Sequence, residues 1–407
     1  MTASITVVGG SLGGLMAANM LVRAGHSVKV LEKAAGSLDG RGAGIVTHRP
    51  LVAALARCGV PPDAALGVPV QERVVLGSDG EVVARTVMPQ VLTSWSRLYS
   101  LLREALPQEC YVQAASVMGV QQTGAHVNAR CVDGRVFTSD LLIASDGIRS
   151  TVRSQLAPTI PVNYAGYVAW RGVCDEAVLS KRTLGSVFGT FGFGLPQGEQ
   201  LIGYPVAGAG NSIHPGERRF NFVWYRGAPD DGALQALMTD ADGHHHVLGL
   251  PPHKVSWRHL AQARQVARSI LAPQFAEILE KTAQPFLQPI YDCSSEQIAF
   301  GRIGLLGDAA FVARPHVGMG VTKAAEDASA LIDSIEKFGA SPDALQDFQS
   351  HRLCAGQEVV KRARQLGAYM QARGDAKSSA QRSAMDVMMQ TAVDLSPPHR
   401  LHDAALA

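Results

Sequence analysis

Hydrophobic positions recur with two different periods along this chain, and the order of those periods predicts its elements. Residues 4–8 form a short β-branched run, 13–24 carry apolar positions at helical spacing and stop at Gly25, and 27–31 return to alternation that ends at Glu32. That succession predicts a βαβ unit. A glycine-rich loop over 36–44 then leads to a helix over 50–58. Ser78-Asp79-Gly80 and Asp133-Gly134 each separate two apolar runs, 74–76 from 82–85 and 127–131 from 136–138, and predict two hairpins. A helix is expected over 96–105, and the apolar run 141–145 reads as a buried strand meeting Asp146-Gly147.

The pattern changes over 162–257, where aromatic and β-branched runs dominate at 167–173, 187–193, 200–205 and 219–225. This predicts a sheet-rich region inserted between the flanking α/β segments. Residues 262–282 have helical spacing, 302–306 return to a buried strand, and helices are expected over 320–337 and 343–373. The tail beyond Gly374 is polar, then rich in methionine, with no strong pattern.

Composition narrows the function classes. The chain has 407 residues, 46% of them hydrophobic, enough to bury a substantial core. A net charge of +2 with no basic or acidic block gives no case for nucleic acid or an anionic membrane surface. None of the six cysteines forms a Cys-x-x-Cys pair, so they read as reduced, mostly buried thiols, and a redox-active disulfide is excluded. The uncharged run 5–22 contains Gly9, Gly10, Gly13 and Gly14 and has no basic stretch before it, so it reads as strand, turn and helix rather than a membrane span. A cytoplasmic protein is expected. His244-His245-His246 point in different directions and have no further ligand at metal-site spacing, so no metal is expected.

Val8-Gly9-Gly10-Ser11-Leu12-Gly13-Gly14 joins the first strand to the first helix, the context a dinucleotide fingerprint requires. Gly9 permits the tight turn and Gly14 the close packing of helix on strand, while the helix start attracts a pyrophosphate. Ser11 takes the place of the middle glycine. Glu32, 23 residues after Gly9, is placed to accept hydrogen bonds from an adenosine ribose. This motif alone does not separate FAD from NAD.

Two later segments do. Ala144-Ser145-Asp146-Gly147, followed by Ser150 and Arg153, resembles the Asp-Gly motif of single-component FAD-dependent aromatic hydroxylases, the p-hydroxybenzoate hydroxylase-like superfamily. Gly307-Asp308-Ala309-Ala310, with Pro315-His316-Val317-Gly318-Met319-Gly320 and Glu326-Asp327-Ala328, resembles that family's Gly-Asp motif. Phe311 stands where a histidine often follows. Within the family, Tyr164–Val173 and Asn221-Phe222-Val223-Trp224-Tyr225 resemble the branch acting on hydroxypyridines. The resemblance implies an α/β fold: a Rossmann-like FAD-binding domain, an inserted sheet-rich substrate domain and a long C-terminal helix. The expected divisions are FAD-binding segments at 1–73, 92–160 and 276–340, a substrate-side hairpin at 74–91, a substrate domain at 161–275 and a helical region and tail at 341–407.

It also implies cofactors, FAD and NAD(P)H, and a cycle in which O2 adds to reduced flavin and a C4a-hydroperoxyflavin hydroxylates an electron-rich ring. Asp308 would bond the ribityl chain, and the Gly318–Gly320 loop would face the flavin ring. Gly9, Ser11, Leu12, Gly14, Glu32, Lys33, Arg41, Gly44, Arg97, Val117 and Asp146 complete the cofactor set. A ring hydroxyl reacts faster once ionised, so a base or positive field beside it is useful. His48, His316, Tyr204, Tyr225 and Arg171 are the candidates. Same-scaffold epoxidases or reductases and a non-catalytic flavin-bound sensor are the alternatives. The expected partners are a small aromatic substrate and O2, and the sequence is compatible with a homodimer.

Overall fold

The computed structural model describes residues 2–395 apart from 37, 39–43, 62–64, 231, 248, 251 and 371–382. The βαβ unit forms where the periodicity places it: strand Ser4–Val8, helix Leu12–Arg23 and strand Ser27–Leu31. Ser4–Val8 pairs in parallel with Ser27–Leu31 on one side and Leu141–Ala144 on the other, and Leu141–Ala144 pairs with Ile303–Leu305. Leu141–Ala144 is buried at every position, as a parallel strand covered on both faces must be. Tyr111–Val112 and Ala299–Phe300 complete a six-stranded sheet. A separate three-stranded meander, Val117–Gln122, Val127–Cys131 and Val136–Ser139, contains the Asp133-Gly134 hairpin.

The second sheet has nine strands. In spatial order they are Phe311–Val312, Phe286–Ser294, Asn163–Asp175, Arg219–Gly227, Gln200–Val206, Thr190–Gly194, Val68–Leu76, Val82–Ser94 and Gly44–Val46. The sheet therefore recruits strands from both sides of residues 161–275. One of its faces packs against helices Trp257–Ile270 and Pro273–Lys281 through Trp170, Phe220, Phe222, Trp224 and Phe275. Its opposite face carries Tyr167, Tyr204, Tyr225, Phe191 and Phe193 toward the flavin-binding sheet.

Four expectations change. The run at 187–193 divides into helix Lys181–Val187, whose first turn is capped by Ser180, and strand Thr190–Gly194. The single helix over 262–282 is two, because Pro273 has no N–H to continue the first and instead opens the second. The long C-terminal helix runs Pro342–Gly367 and passes into a short 3-10 turn, Ala368–Met370, while the rest of its expected span, 371–373, lies outside the described residues. The methionine-rich tail contains a helix, Ala384–Gln390, opened by a reciprocal cap between Ser383 and Asp386. Among the described residues no helix is long and apolar enough to cross a membrane.

Candidate active site

A cavity between the two sheets is lined by Gly44, by Ile148 after the Asp-Gly turn and by Asp308 of the Gly-Asp turn, while the first glycine turn packs against the Asp-Gly turn. Gly9 has φ +102°, and a Cβ there would lie 2.3 Å from the Ser145 carbonyl oxygen. A Cβ on Gly14 would lie 1.9 Å from the Gly9 carbonyl oxygen, so helix and turn touch backbone to backbone. Ser11 is the N-cap of helix Leu12–Arg23 and makes no side-chain capping bond. Glu32 is buried and grips the turn itself: its Oε2 accepts from Gly10 N–H at 2.9 Å and its Oε1 from Ala34 N–H at 2.8 Å. Lys33 is exposed, Leu12 and Val117 are buried, and Arg97 donates from Nε to the Ala65 carbonyl at 2.9 Å. Arg41 lies outside the described residues.

The Asp-Gly and Gly-Asp turns are tied together. Asp146 Oδ2 accepts from Thr151 N–H at 2.8 Å at the start of helix Thr151–Leu156, while its buried Oδ1 has no hydrogen-bond partner. Burial pushes the Asp146 carboxyl upward in pKa. Arg153, itself buried, donates to the carbonyls of Ile148 and of Ala309, the latter at 2.9 Å. The Gly307 N–H donates to Asp327 Oδ2 at 3.0 Å, and Arg352 holds Asp327 Oδ1 at 2.7 Å. Glu326 and Asp327 thus serve the turn: Glu326 Oε2 accepts from Arg352 at 3.0 Å.

Asp308 projects from that turn with a side chain 53% exposed to the cavity, although the turn lies deep in the molecule. Burial raises its pKa, and Lys323, whose Nζ is 3.8 Å away, opposes that rise. Lys323 is fully buried and its ammonium has no hydrogen bond. A cradle lined by backbone that tolerates no Cβ, with polar groups awaiting partners, fits the pyrophosphate and ribityl chain of FAD.

The cavity measures about 300 Å³. Gly44, Ile148, Gly318, Gly320 and Asp308 line its cofactor side; Arg171, Tyr204, Tyr225, Gln288 and Phe191 line its sheet side. Gly44 is fixed there, since its N–H donates to Asn221 Oδ1 at 2.9 Å and a Cβ would strike the Tyr204 ring at 2.4 Å. Arg171 Nη1 donates to Gln288 Oε1 at 2.8 Å. No carboxylate of the described residues pairs with Arg171, and its buried Nε has no partner. Burial raises the Tyr204 pKa and Arg171 lowers it, so the phenol stays protonated at neutral pH.

Neither candidate histidine is placed in the cavity lining. His48 Nδ1 sits 2.9 Å from Thr322 Oγ1, and its Nε2 is 3.5 Å from the Ala392 carbonyl. His316 is buried behind Tyr225, its ring centroid 3.9 Å from that of the tyrosine. Its Nδ1 donates to Gln200 Oε1 at 3.0 Å, so its Nε2 accepts from the Tyr167 hydroxyl at 2.9 Å. With both nitrogens committed, His316 has no proton site facing the cavity. Tyr204, Tyr225 and Arg171, in contrast, are brought together there.

Burial, with Arg314 adding, pulls the His316 pKa down to about 3. The folded state excludes a proton that the unfolded chain binds below a pKa of about 6.5. Stability is therefore full above that value and falls by up to about 1.4 kcal/mol per pH unit as pH drops toward 3. Urea midpoints across pH 4–7 should show this slope, and His316→Gln should flatten it; an unchanged slope would mean other groups carry it.

The triple-histidine loop takes a structural form. Asp240 Oδ1 accepts from the N–H groups of Asp242 and His244, both at 2.9 Å, and its Oδ2 faces His246 Nε2 at 2.9 Å. Asp240, Asp242 and His244 bring ligand-type atoms within 4.8 Å of one another, but the Asp240 oxygens are already engaged by the loop.

Fold and site together define an FAD-binding oxidoreductase with a ring-sized cavity against the flavin position. Residues 2–183 match the FAD binding domain family and 164–292 an FAD binding domain-like family. The chain is 31% identical to 2,6-dihydroxypyridine 3-monooxygenase of Paenarthrobacter nicotinovorans, over 92% of this chain and 93% of that one. It therefore belongs to the FAD-dependent aromatic monooxygenase family. The solved 2,6-dihydroxypyridine-3-hydroxylase from Arthrobacter nicotinovorans superposes with a TM-score of 0.85 over 92% of this chain and 94% of that one, at 31% identity. A 6-hydroxynicotinate 3-monooxygenase of Pseudomonas fluorescens is 26% identical over 83% of each chain. A salicylate hydroxylase substrate complex, 18% identical with a TM-score of 0.73 and covering 95% of this chain and 93% of that one, shares the fold. The protein is an FAD-dependent enzyme that hydroxylates aromatic rings.

Proposed function

We propose that the substrate is a small hydroxylated nitrogen heterocycle of the dihydroxypyridine class, bound through an ionised ring oxygen by Arg171 and Tyr204. The observation that carries this reading is the Arg171 guanidinium, which lines a largely apolar cavity without a carboxylate partner. A charge left without a counterion inside a cavity is costly unless a ligand supplies one. Gln288 orients the guanidinium fork, and the protonated Tyr204 donates a second bond to the same oxygen. The apolar walls formed by Ile45, Phe191, Ile202 and Val223 hold the ring flat and exclude water.

The chemistry that bound FAD would supply is acceptance of a hydride from NAD(P)H and activation of O2 for transfer of one oxygen atom to the ring. Asp308 would hold its ribityl hydroxyls, the Gly9–Gly14 turn its pyrophosphate, and the N–H groups at the start of helix Gly320–Phe338 would oppose negative charge on its ring. Ionising the ring hydroxyl raises its electron density at the positions ortho and para to it. Arg171 makes that ionisation favourable without accepting a proton itself, the proton being released to solvent as the anion binds, so a buried imidazole base is unnecessary. His316 positions Tyr225 and the Pro315 loop through Gln200 and Tyr167.

The purified holoenzyme is expected to consume NAD(P)H faster when 2,6-dihydroxypyridine or 6-hydroxynicotinate is added, and to yield a product heavier by one 18O atom under labelled O2. Product without label would reject oxygen insertion. Labelled product from simple phenols alone would reject the heterocycle.

A further inference from the structure

The C-terminal segment is built into the cavity. Helix Ala384–Gln390 buries Met388, with Ala384 beside it, against the same cluster that holds Phe191, Tyr204 and Tyr225. After it, Ala392 takes a left-handed φ of +50° and lines the cavity beside Gly318. The fit is tight: a Cβ on Gly318 would lie 2.6 Å from the Ala392 Cα. The Ala392 N–H donates to the His316 carbonyl at 2.9 Å, and Gln200 Nε2 lies 3.4 Å from Thr391 Oγ1.

What holds the segment is Arg73. This side chain is 0% exposed and comes from strand Val68–Leu76, more than 300 residues away in sequence. Its Nη1 donates to the carbonyls of Met388 and Thr391, both at 2.6 Å, and its Nη2 to that of Ala392 at 2.9 Å. Its Nε donates to Gln90 Oε1 at 2.9 Å, and the guanidinium stands 4.8 Å from the centre of the Phe191 ring. No carboxylate of the described residues pairs with it. A helix C-terminus leaves its last carbonyls bare and carries partial negative charge, so a planar cation with several donors matches it.

We propose that residues 383–395 form the last wall of the ring-binding cavity, that Arg73 is the positioning residue locking this wall, and that the Ala392 methyl limits the ring substituents admitted. This deepens the reading above and rests on it in taking the cavity as the ring site. Releasing the wall would let water reach the flavin face, so reducing equivalents would be lost as peroxide instead of entering product. Enlarging the cavity by one methyl would favour a substrate that carries one more.

The test uses the full-chain holoenzyme with Arg73→Met, Arg73→Lys and Ala392→Gly. Amide hydrogen exchange of 383–395 is followed beside FAD content, substrate KM, kcat and product formed per NAD(P)H, with 2,6-dihydroxypyridine and its 4-methyl derivative as probes. Arg73→Met should keep FAD, lose exchange protection in 383–395, raise KM about 10-fold with a smaller change in kcat, and lower coupling; Arg73→Lys should recover part of each. Ala392→Gly, whose glycine suits a positive φ, should raise the ratio of kcat/KM for the methylated over the plain probe by about 10-fold. Unchanged KM, coupling and probe ratio in variants that retain FAD would overturn the proposal. Should Arg73→Met not fold, Ala392→Gly decides alone. Exchange protection lost in Arg73→Met, with neither probe hydroxylated by wild type, would sink the ring-site reading and leave the lock standing; protection retained would sink the lock.

Discussion

Asp308→Ala is expected to weaken FAD binding by about 1.5–3 kcal/mol, roughly 10- to 150-fold in Kd, the scale of hydrogen bonds to a charged group. Asp308 is the acidic side chain that reaches the cavity from the turn Gly307–Ala309, and it is half-exposed there with Lys323 Nζ 3.8 Å away. Removing its carboxylate leaves the turn intact, because the turn is held from behind by Asp327 and Arg153. Asp240→Ala supplies the contrast. Asp240 is buried and its bonds close its own loop, so its loss should lower thermal stability and leave the FAD Kd within about twofold. Titrating apoprotein of each variant with FAD, by flavin fluorescence, measures both values. Equal Kd values for the two variants would remove Asp308 from the cofactor set.

The flavin half was legible because its chemistry is local. Gly14 is required by backbone closeness to Gly9 five residues earlier, Gly9 and Gly307 by positive φ values of +102° and +64° in tight turns, and Glu32, Asp146 and Asp308 follow strands whose apolar pattern marks their ends. The substrate half was legible as strands and as a set of aromatic positions. Which of them face the cavity was not, because that depends on pairing between Asn163–Asp175, Arg219–Gly227 and Phe286–Ser294, distant in sequence. His316 shows the difficulty. Its place beside the Gly318–Gly320 loop suggested a base, yet two partners, 116 and 149 residues away, take both its nitrogens. Gln288 gave no signal because the strand that carries it has little alternation. Arg73 gave none because it looks like a polar residue on a β-strand, and its partners are carbonyls more than 300 residues later. Lys323 could have been noticed as a charge on the apolar face of helix Gly320–Phe338, where helical spacing predicts burial.

Arg171→Met is expected to lower kcat/KM for the ring substrate by about 10²–10³-fold, since it removes one partner of a desolvated charge pair. FAD content should not change, because Arg171 sits on strand Asn163–Asp175 and bonds Gln288, not the cofactor turns. The pH profile separates an electrostatic role from a packing one. With a guanidinium opposite the ring oxygen, the substrate ionises more readily in the complex, and its ionised form persists to lower pH. Without it, the acid limb of kcat should move up by one pH unit or more, each unit matching about 1.4 kcal/mol of lost stabilisation. Gln288→Ala should reproduce a smaller part of the loss, about tenfold, because Gln288 acts by orienting the fork. Combining it with Arg171→Met should therefore add little. His316→Gln should leave the acid limb in place, since that imidazole is neutral throughout the range and has no nitrogen facing the cavity. A wild-type kcat/KM and an unmoved acid limb in Arg171→Met would take the guanidinium out of substrate binding and shift the recognition of the ring oxygen to Tyr204.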